Sequence, residues 1–480
     1  MAGRIRAEPK DAAPLAGRPW TRHYDPGVPA TLVYPDVPLH SLLEDAARTH
    51  TDAIGTIFHG ATRTYRTLQR DATFFSAGLR KLGVRKGDRV ALVLPNCPQF
   101  LIAFFGTLRI GAVVVPCDPQ YTPRELQQQL ADSGAETVVV LAGLYPTVRA
   151  ARTGTAVRDV IVATITEELP AARRVLATVL GRGPAAADRT HWRGDPGTHA
   201  FRELLTYEGE PVAAPVAPPD LAVLQYTGGT TGVPRAAMLS HGALVANVLQ
   251  CRSWFPGLQD GAERIMGVMP FFHAYGLTAA MDLAVQSASA LIVEPAFELR
   301  QVLRGVQTYR PSIFPGAPRL YEAIVDSPQA RSFDLRSIRA CISGSAPLPA
   351  DTARRFQELT GGHLVEGYGL TEASPVTHCN PLYGAGKQKA GSIGVPLPDV
   401  ESRIVELGTG TRELGPGEHG ELVVRGPQLM DGYYHRPAET AQALRNGWLH
   451  TGDVAYADGD GYVVLVDRTK ERNGVAPRAS

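Results

Sequence analysis

The densest group of residues able to hold an anion is Tyr226-Thr-Gly-Gly-Thr-Thr-Gly-Val-Pro-Arg-Ala-Ala-Met-Leu-Ser-His241. Gly228, Gly229 and Gly232 let the backbone turn sharply and approach a ligand closely. Thr227, Thr230 and Thr231 add hydroxyls, so successive donors can surround anionic oxygens. The functional reading is a phosphate-holding loop; the plain alternative is a polar turn. No Gly-Lys-Ser/Thr ends the stretch, so it is not a Walker A loop and any nucleotide chemistry is of another kind. Three more stretches place polar groups in tight turns: Gly344-Ser345-Ala346, Glu366-Gly-Tyr-Gly-Leu-Thr-Glu372 and Thr451-Gly-Asp453. In Pro270-Phe-Phe-His-Ala-Tyr-Gly276 a histidine sits among aromatics, where a packed neutral imidazole is the ordinary reading.

These loops need a scaffold that brings them to one side, and the hydrophobic pattern supplies one. Helical spacing of apolar residues begins at Leu39 and recurs over 68–82, 99–108 and 122–132. Apolar runs at 89–94, 111–116 and 137–141 read as buried strands, and 54–58 with 62–65 as a small hairpin. Strands alternating with helices argue an α/β fold with a parallel sheet covered on both faces. The glycine-threonine loop follows a strand at 221–225 and precedes a helix at 243–249. Strands at 265–269, 289–293, 312–314 and 338–343 and helices at 299–309 and 320–325 continue the rhythm. Loops at the carboxyl ends of such strands are where open α/β sheets bind small molecules. After Gly391 the texture changes to short β pieces between Gly- and Pro-rich turns. The expected organisation is a loose, proline-rich arm (1–38), an α/β core (39–390) with a surface insertion (152–219), a small β subdomain (391–467) and a tail (468–480). Within the insertion, Val175, Leu176, Val179 and Leu180 beside Arg173, Arg174 and Arg182 form either a plain surface segment or a basic amphipathic helix that touches a membrane.

Bulk properties narrow the class. At 480 residues the chain calls for two to four domains or subdomains. A hydrophobic content of 44% with 20% charged residues describes a soluble globular protein, and a net charge of +1 gives no electrostatic basis for nucleic-acid binding. Cys97, Cys117, Cys251, Cys341 and Cys379 are scattered without metal spacing, which suits reduced thiols in the cytoplasm. The first twenty residues lack the apolar stretch of a signal peptide, and no apolar run reaches the ~18 residues needed to span a bilayer.

Taken together, the glycine-threonine loop, Pro270-Phe-Phe-His, Ser343-Gly-Ser-Ala-Pro-Leu-Pro349, Glu366 to Glu372, Trp448-Leu-His-Thr-Gly-Asp453 and Asp467-Arg-Thr-Lys470 resemble the adenylate-forming superfamily of acyl-CoA synthetases, luciferases and peptide-synthetase adenylation domains. The resemblance runs from about Leu39 to Lys470 and is nearest to bacterial long-chain fatty acid–CoA ligases. It implies a large adenylation domain of stacked mixed and parallel sheets flanked by helices. It also implies two reactions: a fatty acid carboxylate attacks the α-phosphate of ATP, releasing pyrophosphate, and the CoA thiol then displaces AMP. Both partners of the first step are anionic, so positive charge and alignment matter more than a protein nucleophile.

Carried over position by position, the resemblance assigns Thr227 to Gly232 and Arg235 to the β- and γ-phosphates, with Arg235 standing where most relatives have lysine and Ala236 where they have glycine. Glu372 is the expected magnesium ligand, helped by Thr227, and Thr371 the expected phosphate contact. Glu366, Gly367, Tyr368 and Gly369, with Gly344, Ser345 and Ala346, are expected at the adenine, Tyr368 by stacking. Asp453 and Arg468 are expected at the ribose hydroxyls. His273 is expected to gate or orient the acyl carboxylate, and Gly276, Phe314, Gly316 and Ala317 to line the acyl pocket, although plain core packing would equally explain these apolar positions. His241 is read as structural.

The C-terminal end departs from the resemblance. In relatives, 467–470 leads into a mobile C-terminal domain that brings a catalytic lysine and builds the CoA site; here 471–480 does not resemble that continuation. The expectation is therefore a fatty acid–CoA ligase by descent with impaired catalysis and an incomplete CoA site. A non-catalytic ATP- or acyl-binding protein completed by a partner, and an acyl-AMP ligase with another acceptor, are the alternatives. A homodimer and contact with the inner face of the membrane are further expectations drawn from relatives and substrate class.

Overall fold

A computed structural model describes residues 18–170, 192–206, 215–227, 234–384 and 387–468, with only the backbone described at Asp467 and Arg468. Two large sheets dominate. The first has seven strands in the order Thr198–Ala200, Asp159–Ala163, Thr137–Leu141, Arg89–Val93, Val113–Pro116, Leu221–Thr227 and Arg235–Ser240. All neighbours are parallel except the last pair, which is an antiparallel hairpin. The second sheet runs Arg264–Gly267, Ala290–Val293, Ile54–Phe58, Ala61–Thr64. Single parallel bridges through Ile313 join it to Ala340–Ser343, which pairs with His363–Gly369, followed by Val376–Cys379 and Val395–Pro396.

The strand sequences show why both faces are covered. Val90 and Leu92 point into the core between the sheets, whereas Ala91 and Val93 point to the outer helices. Such strands read as unbroken apolar runs because neither face meets water. Helices Tyr65–Lys81, Pro98–Arg109 and His241–Ser253 fill the space between the sheets. Pro98–Arg109 is buried along nearly its whole length, consistent with its apolar sequence all round. Helices Pro123–Ser133 and Tyr145–Ala151 cover the outside of the first sheet, and Leu299–Tyr309, Pro318–Val325 and Ala350–Thr360 that of the second. Thr122 begins Pro123–Ser133 with a reciprocal capping box to Glu125. A five-stranded antiparallel sheet built from Glu401 to Arg468 forms the β subdomain.

Three expectations about organisation change. Residues 152–219 are not a surface insertion in their described parts: Asp159–Ala163 and Thr198–Ala200 are the outer strands of the first sheet, with Val160, Ile161 and Val162 buried. The high Ala, Arg, Gly and Pro content around them hides two short strands. The basic segment 173–182 lies outside the described residues. The arm is not loose where it is described. Asp25 accepts from the backbone N–H groups of Leu382 and Tyr383 at 2.7 and 2.8 Å. Asp399 accepts from Leu32 N–H and the Tyr34 hydroxyl at 2.8 and 2.9 Å. Beyond a short 3-10 helix, Pro19–His23, prolines discourage regular structure and side chains fix the segment instead. Finally, the boundary after Gly391 is shared: Val395–Pro396 pairs with the second sheet, while Gly394 bridges Val463 of the β subdomain.

Among the described residues no helix is long and apolar enough to cross a membrane.

Candidate functional site

The glycine-threonine loop joins the two antiparallel strands at the edge of the first sheet, and Thr227 lies opposite Arg235 at the base of that hairpin. Gly228, Gly229, Thr230, Thr231 and Gly232 lie outside the described residues. The stem itself is held from both sides. Just before the loop, the Tyr226 hydroxyl donates to Asp132 Oδ2 at 2.7 Å, and Arg436 donates to Asp132 Oδ1 at 2.9 Å. The segment 431–434 runs along the second strand of the hairpin: Asp431 N–H donates to the Met238 carbonyl, Met238 N–H to Gly432 and Tyr434 N–H to Ala236, each at 2.9 Å.

That segment delivers Tyr433 to the middle of the site. Its hydroxyl donates to Glu372 Oε1 at 2.6 Å, and the Arg235 guanidinium carbon lies 4.7 Å from the centre of its ring. Burial, and then the Glu372 charge, push the Tyr433 phenol well above its ordinary pKa, so it stays a donor. Glu372 is half-buried in a 3-10 turn, Thr371–Ala373, closed by Ser374 in a left-handed conformation. The turn begins next to Gly369, where a Cβ would fall on the Pro375 carbonyl oxygen, so only glycine permits this approach. The Glu372 carbonyl accepts from Met430 N–H at 2.9 Å.

The donor set suits magnesium rather than a closed metal cage. No cluster of three His, Cys, Asp or Glu residues able to hold a metal occurs among the described residues. Glu372 Oε2 accepts no hydrogen bond from the described residues, and Thr227 stands at the hairpin end. One carboxylate with water and substrate phosphates is how magnesium is commonly held.

Where the second sheet meets the β subdomain, the Tyr368 hydroxyl donates to Asp453 Oδ2 at 2.5 Å. Asp453 is also the backbone partner of Arg468 in the β subdomain, so this bond ties the second sheet to that subdomain. Tyr368 is 9% exposed and packs against His378, so it shows a hydrogen bond rather than an open face for stacking. Glu366 accepts from Leu348 N–H at 3.1 Å, and burial raises its pKa to about 6. A cleft of about 570 Å³, lined by Leu348, Arg354, Glu366, Asn380, Gln388 and Lys389, opens beside it. Ser345 and Ala346 are exposed, and Ser345 takes a φ of +73°, the kind of strain that clusters at functional turns. Gly344 and Gly367 are buried behind them.

The expected acyl residues fare differently. His273 is solvent-exposed and rests on Phe272 with ring centres 4.6 Å apart. Its own surface is open although the surrounding protein is dense enough to lower its pKa, and the open surface is what decides access. No side-chain hydrogen bond engages it among the described residues. Gly276 is required by the turn itself, since a Cβ there would fall on the Pro270 carbonyl. Phe314 is fully buried in the outer core, its ring packed against that of Tyr321. Its neighbour Pro315 instead lines an apolar cavity with Cys251, Trp254, Phe255, Tyr275 and Ala279. Adjacent residues of an extended segment face opposite ways, which is why the two neighbours have different surroundings. Gly316 N–H donates to Ile342 and its carbonyl accepts from Gly344, so it spaces strands, while Ala317 caps helix Pro318–Val325. The cavity gives a water-sized body only about 20 Å³ in this conformation. Tyr275 lines the cavity while its hydroxyl donates to the Ile342 carbonyl at 2.6 Å. Tyr433, Asp132 and Tyr275 are not among the sequence candidates. Their partners lie 61, 94 and 67 residues away, and nothing local marks the pairing.

Residues 43–434 match the family model described as AMP-binding enzyme. A long-chain-fatty-acid–CoA ligase of Bacillus subtilis is 40% identical over 458 residues, covering 95% of this chain and 80% of the relative. One from Escherichia coli O157:H7 is 36% identical, covering 94% and 81%. The crystal structure of a long-chain-fatty-acid–CoA ligase from Archaeoglobus fulgidus superposes with a TM-score of 0.78 at 26% identity, covering 93% of this chain and 86% of that one.

Proposed function

The chain belongs to the AMP-binding enzyme family and is an AMP-forming acid–thiol ligase by that membership, and on that premise we propose that its acid is a long-chain fatty acid, activated as acyl-AMP and passed to CoA. The observation that carries the reading is the chain of contacts Arg235–Tyr433–Glu372, with Tyr368–Asp453 beginning three residues before the Glu372 turn. One connected group thus spans the expected phosphate, metal and ribose positions. The relatives' 40% and 36% identity supports the acyl-CoA ligase class.

In this reading the two anions meet between the hairpin and the Glu372 turn. Arg235 and the loop from Thr227 to Gly232 hold the phosphates, offsetting the repulsion that would keep a carboxylate from the α-phosphorus. Thr371 adds a hydroxyl donor. Glu372, with Thr227, would hold magnesium, which supplies further positive charge at the phosphates when bound. Asp453, a natural acceptor for vicinal hydroxyls, and Arg468 fix the ribose, while Gly344 to Ala346 and Glu366 to Gly369 border the base. His273 orients the acyl carboxylate at the cleft mouth, with the alkyl chain entering beside Tyr275. Much of the acceleration then comes from alignment, which is able to lower a barrier by roughly 7–11 kcal/mol. The enzyme works in the cytoplasm, taking acids from the inner membrane face.

The test is pyrophosphate release from ATP with a panel of acids from hexanoate to oleate, with acyl-CoA formation measured separately. Release that rises with chain length, followed by CoA-dependent loss of AMP, is expected. Release with no acid of the panel would overturn the reading, and release without any acyl-CoA would point to another acceptor.

A further inference from the structure

The residue that joins the two halves of the phosphate site is Tyr433. It sits on neither the glycine-threonine loop nor the Glu372 turn, yet it contacts Glu372 on one side and the hairpin residue Arg235 on the other. Its backbone forms an antiparallel bridge to Ala237 in the hairpin stem, and its N–H donates to Thr440 Oγ1 at 2.8 Å. The segment is pinned again at Arg436, whose guanidinium shares Asp132 with Tyr226. The phenol therefore cannot follow Glu372 if the carboxylate swings; it fixes the carboxylate instead.

The chemistry of the two contacts is complementary. The hydroxyl occupies Oε1 of Glu372, leaving Oε2 without a hydrogen-bond partner among the described residues. The ring face carries Arg235, whose buried Nε has no hydrogen-bond partner among the described residues. A planar guanidinium stacks on an aromatic face in a way an ammonium does not, so the ring fixes where the positive charge at the end of the hairpin stem stands.

We infer that Tyr433 is a positioning residue for the metal carboxylate: it holds Glu372 through one oxygen so that the other meets magnesium, and through its ring it keeps Arg235 in register with that metal. This rests on the reading of Glu372 as the magnesium ligand. Partners of this kind typically set metal affinity by ~10–100-fold.

The experiment uses the full chain and Mn2+ as a paramagnetic stand-in for Mg2+. Free Mn2+ is titrated by electron paramagnetic resonance in the presence of a non-hydrolysable ATP analogue, and metal-free binding of the same analogue is measured by calorimetry. In Y433F, Mn2+ affinity is expected to fall about tenfold, with metal-free nucleotide affinity unchanged and the lost pyrophosphate release recovered at high Mg2+. Wild-type Mn2+ affinity in Y433F overturns the inference, provided E372Q loses metal binding. If E372Q also keeps wild-type metal affinity, it is the assignment of Glu372 that fails. Should Y433F not fold, 3-fluorotyrosine placed at position 433 keeps both shape and hydroxyl. Its fluorine resonance is expected to move when Mg2+ joins the bound nucleotide analogue, and a resonance that stays put overturns the inference.

Discussion

On the proposed nucleotide side, Arg235, Tyr433, Glu372, Tyr368 and Asp453 are held by hydrogen bonds of 2.5 and 2.6 Å and a cation–π contact, drawn from two sheets and the β subdomain. On the proposed acyl side, Cys251, Trp254, Phe255, Ala279 and Pro315 surround a small apolar cavity. The first arrangement fixes single atoms, and losing one leaves a buried partner unsatisfied. The second fixes a volume, which similar side chains can reshape at modest cost. Under the proposed function, the first would serve precise charge placement and the second the tolerance of an alkyl chain.

The sharpest break of this comparison is E372Q. Removing the carboxylate charge is expected to lower pyrophosphate release by ~10²–10³ with little change in melting temperature; a loss below tenfold would mean the nucleotide side is less tightly specified than its hydrogen bonds suggest. Gly369→Ala tests the turn that presents Glu372. The added Cβ must displace the Pro375 carbonyl, so both activity and stability should fall, the latter by about 1–3 kcal/mol, read by urea denaturation. On the acyl side, A279F fills the cavity. The KM for oleate should rise about tenfold, within the range that hydrophobic pockets discriminate, while that for ATP stays as in wild type; an equal rise in both would erase the distinction between the two sides.

A last effect, read in stability alone, concerns Asp282. It is fully buried on the π-helix Leu277–Asp282, which carries Ala279 to the cavity, and neither carboxylate oxygen has a hydrogen-bond partner among the described residues. Burial raises its pKa well above the ordinary carboxylate range. A raised folded pKa means that the folded state keeps a proton the unfolded chain releases above about pH 4. Stability should therefore fall as pH rises from that point, by at most ~1.4 kcal/mol per pH unit for one proton. D282N should flatten that part of the slope between pH 5 and pH 7 in denaturant midpoints. An unchanged slope would show that the carboxylate is paired when folded.

Much of the nucleotide side is legible in the amino-acid order. Glycines, threonines and acids in tight turns announce donors and acceptors wherever they occur, and the family resemblance is what assigns Thr227, Glu372 and Asp453 their expected roles. The strands of the first sheet are legible as well, because burial on both faces leaves unbroken apolar runs such as 89–94 and 137–141. The strand at 159–163 escapes such a reading, since its flanks are rich in Gly, Arg and Pro.

What the sequence by itself determined is the chemistry available: which groups are able to donate, accept or carry charge, and the periodicity that folds them into alternating strands and helices. Only the tertiary structure decided who meets whom. Tyr433 reaches Glu372 because a segment after the second sheet returns to pair with the hairpin stem, and Phe314 faces the outer core while Pro315 faces the cavity because neighbours in an extended chain point apart. Local sequence sets a residue's reach of a few ångströms. Its partner across 61 positions is set by how the layers close.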